Sequence, residues 1–388
     1  MTESDGADLT PCVDRSWPAS PLDNDDLLGE ILLLLPPLPS SLYRASAVCQ
    51  HWRRLTTDPQ FLCRFRTLHR KDGPPVLGAF LSRGDRVVFR SSILDPPDRI
   101  PPKRFDLERC NHHSNVVLDC RHGRVLVYNT LPPRQDIIVC DPITGDQRRL
   151  PVPPEFKKFY PVNGAVFCAD DAHDHVHGSC HSSPFKVALM SKYVRDNHSP
   201  TACVYSSDTG TWGKLISATK PYVGDCAYIH GTLIGNVLYW VSMRDIILQF
   251  NLNQQSLSMI EGPPGLDERC RDQIVKAEDG GVGLAQLSKY SIQMWQMKVN
   301  CEGVPMWLFW KIVDMHNILG ISPHVKRNRG RLLGYDEDSN VIFLYMHGSV
   351  YMVKLKSMQF NKLYEGAYHI NYHPFKSFCA PGTTIAGG

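Results

Sequence analysis

The sequence predicts a two-part chain, a small α-helical module followed by a larger all-β domain built as a β-propeller of five to six blades. Three observations predict it. Residues 22–70 pattern as helix almost throughout, while the remainder breaks into short β-rich runs. The composition changes at Lys71-Asp72-Gly73-Pro74-Pro75, a linker spanning residues 71–75. One strand–turn–strand plan recurs along the β-rich part, residues 76–380.

The bulk numbers set bounds on function. At 388 residues the chain is long enough for two cores. Apolar content of 43% and charged content of 21% belong to a globular chain. A formal net charge of +3 gives no basic field for nucleic acid. The 13 cysteines include no C-x-x-C pair, and the N-terminal stretch is acidic, without the order of a signal peptide. Apolar runs such as Ile31 to Leu35 are too short to span a bilayer. These features lead us to expect free thiols, a cytoplasmic or nuclear location and no membrane contact.

Residues 1–21 are polar and Pro-punctuated and read as a tail, as do residues 381–388. The first helix is expected from Asn24 to Leu35, with Leu27, Leu28, Ile31, Leu32 and Leu35 on one stripe. Asp23, Asp25 and Asp26 sit at its positive end, and Pro36-Pro37 stops it. Ser40 is placed to cap a second helix carrying Leu42, Ala45, Val48 and Cys49, with Trp52 and Leu55 continuing its apolar face. Asp58-Pro59 opens a third helix lined by Phe61, Leu62, Phe65 and Leu68. Three short helices cannot hide this many large apolar side chains. The excess faces either a partner or the second domain.

The order and spacing of Leu22-Asp23-x-x-Asp26-Leu27-Leu28-x-Glu30-Ile31-Leu32-x-x-Leu35-Pro36, Arg44-Ala45-Ser46-x-Val48-Cys49-x-x-Trp52-Arg53-x-Leu55 and Asp58-Pro59-x-Phe61 resembles the F-box motif over nearly the whole of residues 22–65, which implies an F-box domain at 22–70. One departure is that Pro21 precedes Leu22, where the family opens Leu-Pro. The resemblance implies docking on a Skp-type adaptor, and through it on cullin and RING subunits. By motif position it implies that Leu22, Leu27, Leu28, Ile31, Leu35, Pro36, Val48, Cys49 and Trp52 contact the adaptor or support the contact.

In the β-rich part, Val139–Gly145, Val204–Gly210, Phe250–Gln255 and Val353–Met358 each run a β-segment into a polar turn, and a unit around Cys301-Glu302-Gly303 fits the wider gap. Expected strands include Val116–Asp119, Val125–Tyr128, Lys186–Ser191, Val237–Ser242, Ile246–Phe250, Val341–Tyr345 and Val350–Lys354. Their number and the periodic turns favour a propeller over an irregular pair of β-sandwiches. Gly235–Trp240, Ile247–Leu252 and Gly283–Trp295 resemble the kelch-like F-box-associated propellers of plant F-box proteins.

The stretch Asp170–His181 carries His173, His175, His177 and Cys180, all of metal-donor type. Its polarity reads as a solvated loop, so no metal is expected. Lys326–Arg331 is a basic run of the kind that joins hairpin strands in solvent or serves nuclear import. No nucleophile elbow, phosphate loop or H-E-x-x-H occurs. The expectation is therefore a non-catalytic, cofactor-free receptor subunit of a ubiquitin ligase whose propeller binds a target protein. The alternatives are a propeller that binds or acts on a small molecule or glycan, and an F-box protein that does not direct degradation.

Overall fold

A computed structural model describes Leu22 and residues 24–71, 73–83, 86–92, 94–105, 107, 115–130, 135–157, 162–169, 177, 180–191, 199–219, 230–242, 246–266, 272–288, 290–320, 330–366 and 372–378. The helical module comprises α1 (Asp25–Leu33), α2 (Ser41–Ser46), α3 (Gln50–Thr57) and α4 (Pro59–Leu68). Asn24 caps α1, its Oδ1 accepting from the amides of Asp26 and Leu27 at 2.9 and 3.1 Å. Asp58 caps α4 in the same way, with Pro59 in the first turn. Helix α1 ends at Leu33 rather than Leu35, because the residue before Pro36 is barred from helical geometry.

The second helix expected from the sequence is two helices. Cys49 is fully extended (φ −161°, ψ 173°) and separates α2 from α3. Val48 and Cys49 are weak helix formers, and Arg53 Nε bonds the Ser46 carbonyl that the break frees, at 3.3 Å. Ser40 stands at the head of α2 but makes no side-chain cap; its amide donates instead to Asp98 of the β domain at 2.8 Å. The module has its own core of Leu28, Leu32, Leu33, Ala45, Phe61 and Phe65, against which Trp52 and Leu55 pack.

The β domain is a ring of six blades among the described residues. Strands β1 (Val76–Arg83) and β2 (Arg86–Ser91) form the first blade together with the last strand of the chain. Then come β3 (Asn115–Arg121), β4 (Arg124–Asn129), β5 (Asp136–Cys140) and β6 (Gln147–Pro151); β7 (Val162–Cys168), β8 (Phe185–Ser191), β9 (Thr201–Ser206) and β10 (Thr211–Trp212) with β11 (Ile216–Ser217); and β12 (Thr232–Ile234), β13 (Val237–Val241), β14 (Ile246–Asn251) and β15 (Ser256–Glu261). The last two full blades are β16 (Asp272–Lys276), β17 (Val282–Ser288), β18 (Ser291–Val299) and β19 (Pro305–Asp314), and β20 (Arg331–Asp336), β21 (Val341–Met346), β22 (Ser349–Lys354) and β23 (Phe360–Glu365). Strand β24 (Tyr372–Lys376) closes the ring by pairing antiparallel with β1, Gly78 opposite Phe375 and Phe80 opposite His373. The clasp is packed by Phe80, Phe105 and Phe375, whose rings meet edge to face.

The turns read from the sequence all fall at one place, between the third and outer strands of five successive blades. In four of them an Asx or Ser side chain opens the turn: Asp141 Oδ1 accepts from Ile143 and Thr144, Asn251 Oδ1 from Asn253 and Gln254, Ser206 Oγ from Asp208, and Asn300 Oδ1 from Glu302 and Val304. Four residues on, Gly145, Gly210, Gln255 and Met358 take the left-handed conformation that returns the chain. Outer strands are tied between blades by indole bonds, Trp212 Nε1 to Pro151 O at 2.9 Å and Trp307 Nε1 to Glu261 O at 2.7 Å.

These turns share one face of the ring with the inner-to-second-strand turns, such as His122-Gly123 between β3 and β4. The helical module joins on this same face: it leads directly into Val76, which pairs with Lys376 at the end of the inner strand β24, and its Ser40 touches Asp98 just past β2.

Candidate functional site

The two faces of α1 separate two jobs. Leu28 and Leu32 point into the module core, whereas Leu27 and Ile31 are 45% and 42% exposed and Leu34 is 78% exposed. Leu27, Ile31 and Leu34 are spaced at i, i+4 and i+7, so they form one apolar stripe on the outside of the helix. Leu22, Pro36, Val48 and Cys49 are exposed as well, Leu35 is half-buried, and Trp52 is half-buried against the core. Of the nine residues singled out from the motif, Leu28 therefore belongs to the core and Trp52 supports it from its edge. The others lie wholly or partly at the surface. Leu34 and Tyr43, both strongly exposed, were not among them; the period of the α1 stripe points to Leu34, while no local signal marks Tyr43. Polar contacts cross between the helices, Asp25 with His51 and Arg54, and Glu30 with Arg64. Exposed pairs of this kind contribute little stability.

The turn face of the propeller carries a buried charge network. Arg121 at the end of β3 bonds Asp119 at 2.6 Å, Glu337 just past β20, and the Gly231 carbonyl at 2.7 Å. Asp119 also accepts from the Val166 amide of β7 at 2.8 Å. Lys376 of β24 reaches Asp336 and Asp338 at 2.5 and 3.2 Å. Burial pushes Glu337 up to about 7 against the pull of Arg121. Burial also holds the imidazoles of His122 and His373 well below their ordinary value. The network ties the inner strands of several blades to one another. It holds its charges in mutual contact, as a structural network does.

A cavity of about 390 Å³ opens beside it, between the blades of β7–β11 and β12–β15, lined by His122, Cys168, His177, Lys186, Ser206 and Asn236 among others. His177 is half-buried, its ring stacked on His122 with centroids 3.5 Å apart. His173, His175 and most of the Lys326–Arg331 run lie outside the described residues, as do the tails 1–21 and 381–388.

Compared with known families, residues 24–64 match the F-box domain, and residues 116–381, more than half of the chain, match the family described as F-box protein AT5G49610-like, beta-propeller. The chain is an F-box protein of that propeller family. No curated protein sequence matches it. Among solved structures it is similar to KlHsv2 with loop 6CD replaced by a Gly-Ser linker, at 14% identity over 61% of this chain and 69% of that one, with a TM-score of 0.37. It is also similar to the Cps50 (Swd1) β-propeller domain of Myceliophteria thermophila, at 12% identity over 76% and 86%, with a TM-score of 0.35. BBS1N in complex with ARL6DN gives 10% identity over 76% of each chain and a TM-score of 0.35. TM-scores this low carry no weight for function.

An F-box module on a six-bladed propeller fits the general role of a substrate receptor, and the architecture is typical of non-catalytic adaptor proteins. F-box domains generally bind Skp-type adaptors, and the propeller is consistent with target binding. The F-box assignment also gives meaning to the outward stripe on α1. A module of this size with a complete core needs no further apolar surface to fold, yet it presents Leu27, Ile31, Leu34 and Val48 to solvent.

Proposed function

We propose that this F-box protein is the target-recognition subunit of a Skp-cullin-F-box ubiquitin ligase. The observation that carries the proposal is the outward apolar face of the module: Leu27, Ile31 and Leu34 on α1, with Leu22, Pro36, Val48 and Cys49 beside it, lie outside a core that is already filled. Such a face suits an obligate helical interface with the adaptor. The chain contributes no catalytic group. It raises the effective concentration of a target near the ubiquitin-loaded enzyme.

The target is taken on the propeller face opposite the module. The first-to-second and third-to-outer turns share one face with the F-box, so the second-to-third turns and the ends of the outer strands lie on the other. There Tyr290, His316 and His347 gather their rings, Tyr290 stacking on His347 at 5.8 Å and meeting His316 at 4.0 Å. Aromatic clusters of this kind are favoured anchors for a protein partner.

Depleting the chain should lengthen the half-life of proteins captured by its propeller. Capture with no change in half-life would favour an F-box protein that binds without directing degradation.

A further inference from the structure

We propose that Cys168, His177 and Cys180 form a zinc site. Cys168 ends β7, and His177 and Cys180 stand in the connection that leads to β8. One donor atom from each of the three lies within 4.8 Å of the other two. The Cys180 Sγ and His177 Nδ1 are 3.6 Å apart. A tetrahedral zinc with sulfur at ~2.3 Å and nitrogen at ~2.0–2.1 Å holds two such ligands about 3.5 Å apart. His177 and Cys180 are separated by two residues in sequence, a spacing found between paired ligands in structural zinc sites.

The surroundings are those of a built site. Cys180 is fully buried and Cys168 nearly so. Arg124 fixes the bend that carries Cys180, donating to the carbonyls of Cys180, His181 and Ser183. The Cys168 amide donates to His122 Nδ1 at 3.0 Å, and the His122 ring stacks on His177. These outer contacts hold the three donors in place before a metal arrives. Metal-free, both sulfurs are neutral thiols, the Cys168 Sγ facing the Pro184 carbonyl at 3.8 Å; as metal ligands they become thiolates, whose buried charge needs compensation. A divalent cation neutralises both, and its binding releases the two thiol protons to solvent. The cavity beside Cys168 and His177 leaves the fourth position open to water or a small donor. Soft sulfur donors with one imidazole favour zinc over magnesium or calcium. The metal would pin the β7–β8 connection to the end of β7, beside the His122 of the β3–β4 turn, on the face of the ring that bears the F-box.

The test uses the full chain, purified under reducing conditions with zinc and then freed of excess metal. Elemental analysis should find about one zinc per chain. Replacing the zinc with Co²⁺ should produce a thiolate-to-cobalt absorption in the near ultraviolet and intense visible bands of tetrahedral cobalt. Cys168→Ser and His177→Ala should each abolish both signals, and chelation should lower the melting temperature of the wild type but not of the variants. The cobalt spectrum of the wild type decides the matter even where a variant fails to fold. A reduced wild-type chain that retains no zinc, a cobalt spectrum without the sulfur band, or full zinc occupancy in the folded Cys168→Ser variant would each overturn the proposal.

Discussion

Replacing Leu28 with Ala should unfold the helical module and leave the propeller intact. Leu28 is wholly buried on the inner face of α1, in a core of six buried residues that includes none from the propeller. Truncating a buried leucine costs about 2–5 kcal/mol, as lost transfer energy plus the cavity left behind. A module of this length has only ~2–7 kcal/mol in total, so the loss takes most of it. Hydrogen exchange followed peptide by peptide reads the effect directly, because each 1.4 kcal/mol changes protection about tenfold. Amides of α1 to α4 should lose roughly 30- to 4,000-fold in protection, while those of β7, β8, β21 and β22 keep theirs. Leu27→Ala, one residue away on the exposed face, should change protection by less than about threefold. Loss of protection that spreads into the propeller strands would show that the two parts fold as one unit. Equal effects at Leu27 and Leu28 would contradict the division of the α1 surface.

Two further perturbations test the ring. A Cβ at Gly78 would meet the Arg90 carbonyl oxygen at 2.3 Å and the Phe89 ring at 2.4 Å; Gly78→Ala should therefore cost the closing blade about 1–3 kcal/mol or more, and an unchanged melting temperature would show that the clasp is looser than described. His373 is buried with the His230 ring 3.9 Å away, and burial first, then His230, hold its imidazole well below the ordinary value. The unfolded chain takes up a proton there below about pH 6.5 while the native chain does not, so this residue's share of stability is present above that pH and lost on acidification, by up to ~1.4 kcal/mol per pH unit. The stability difference between wild type and His373→Gln should shift by about 1 kcal/mol between pH 6.5 and 5.5; a difference that stays constant would mean that His373 titrates alike in both states.

The helices and the blade plan were legible because their signals are local. Asp58-Pro59, the α1 stripe and the polar turns each depend on neighbours within a few residues, and each turn proved to occupy the same position in its blade. Two features were hidden for the opposite reason. The split between α2 and α3 depends on one extended residue, Cys49, inside a run that keeps helical periodicity on both sides. The packing around His177 depends on His122, which lies 55 residues away in sequence and reaches it only through ring geometry. A polar stretch therefore read as a solvated loop, although His177 within it is stacked and half-buried. The motif also marked Leu28 and Ile31 alike, since a sequence stripe shows which residues are apolar but not which side of it the core occupies.

The most direct measurement of the receptor role is the affinity of the purified chain for a Skp-type adaptor, compared with that of Ile31→Asp by calorimetry. Ile31 is 42% exposed in the free chain, so the substitution leaves the module core untouched and its helices protected from exchange. At an interface it buries an unpaired carboxylate, at a cost of about 3–5 kcal/mol, or roughly 150- to 4,000-fold in affinity. The account predicts tight binding by the wild type and a loss of that size in the folded variant. Wild-type affinity in folded Ile31→Asp, or no binding by the wild-type chain at all, would contradict it.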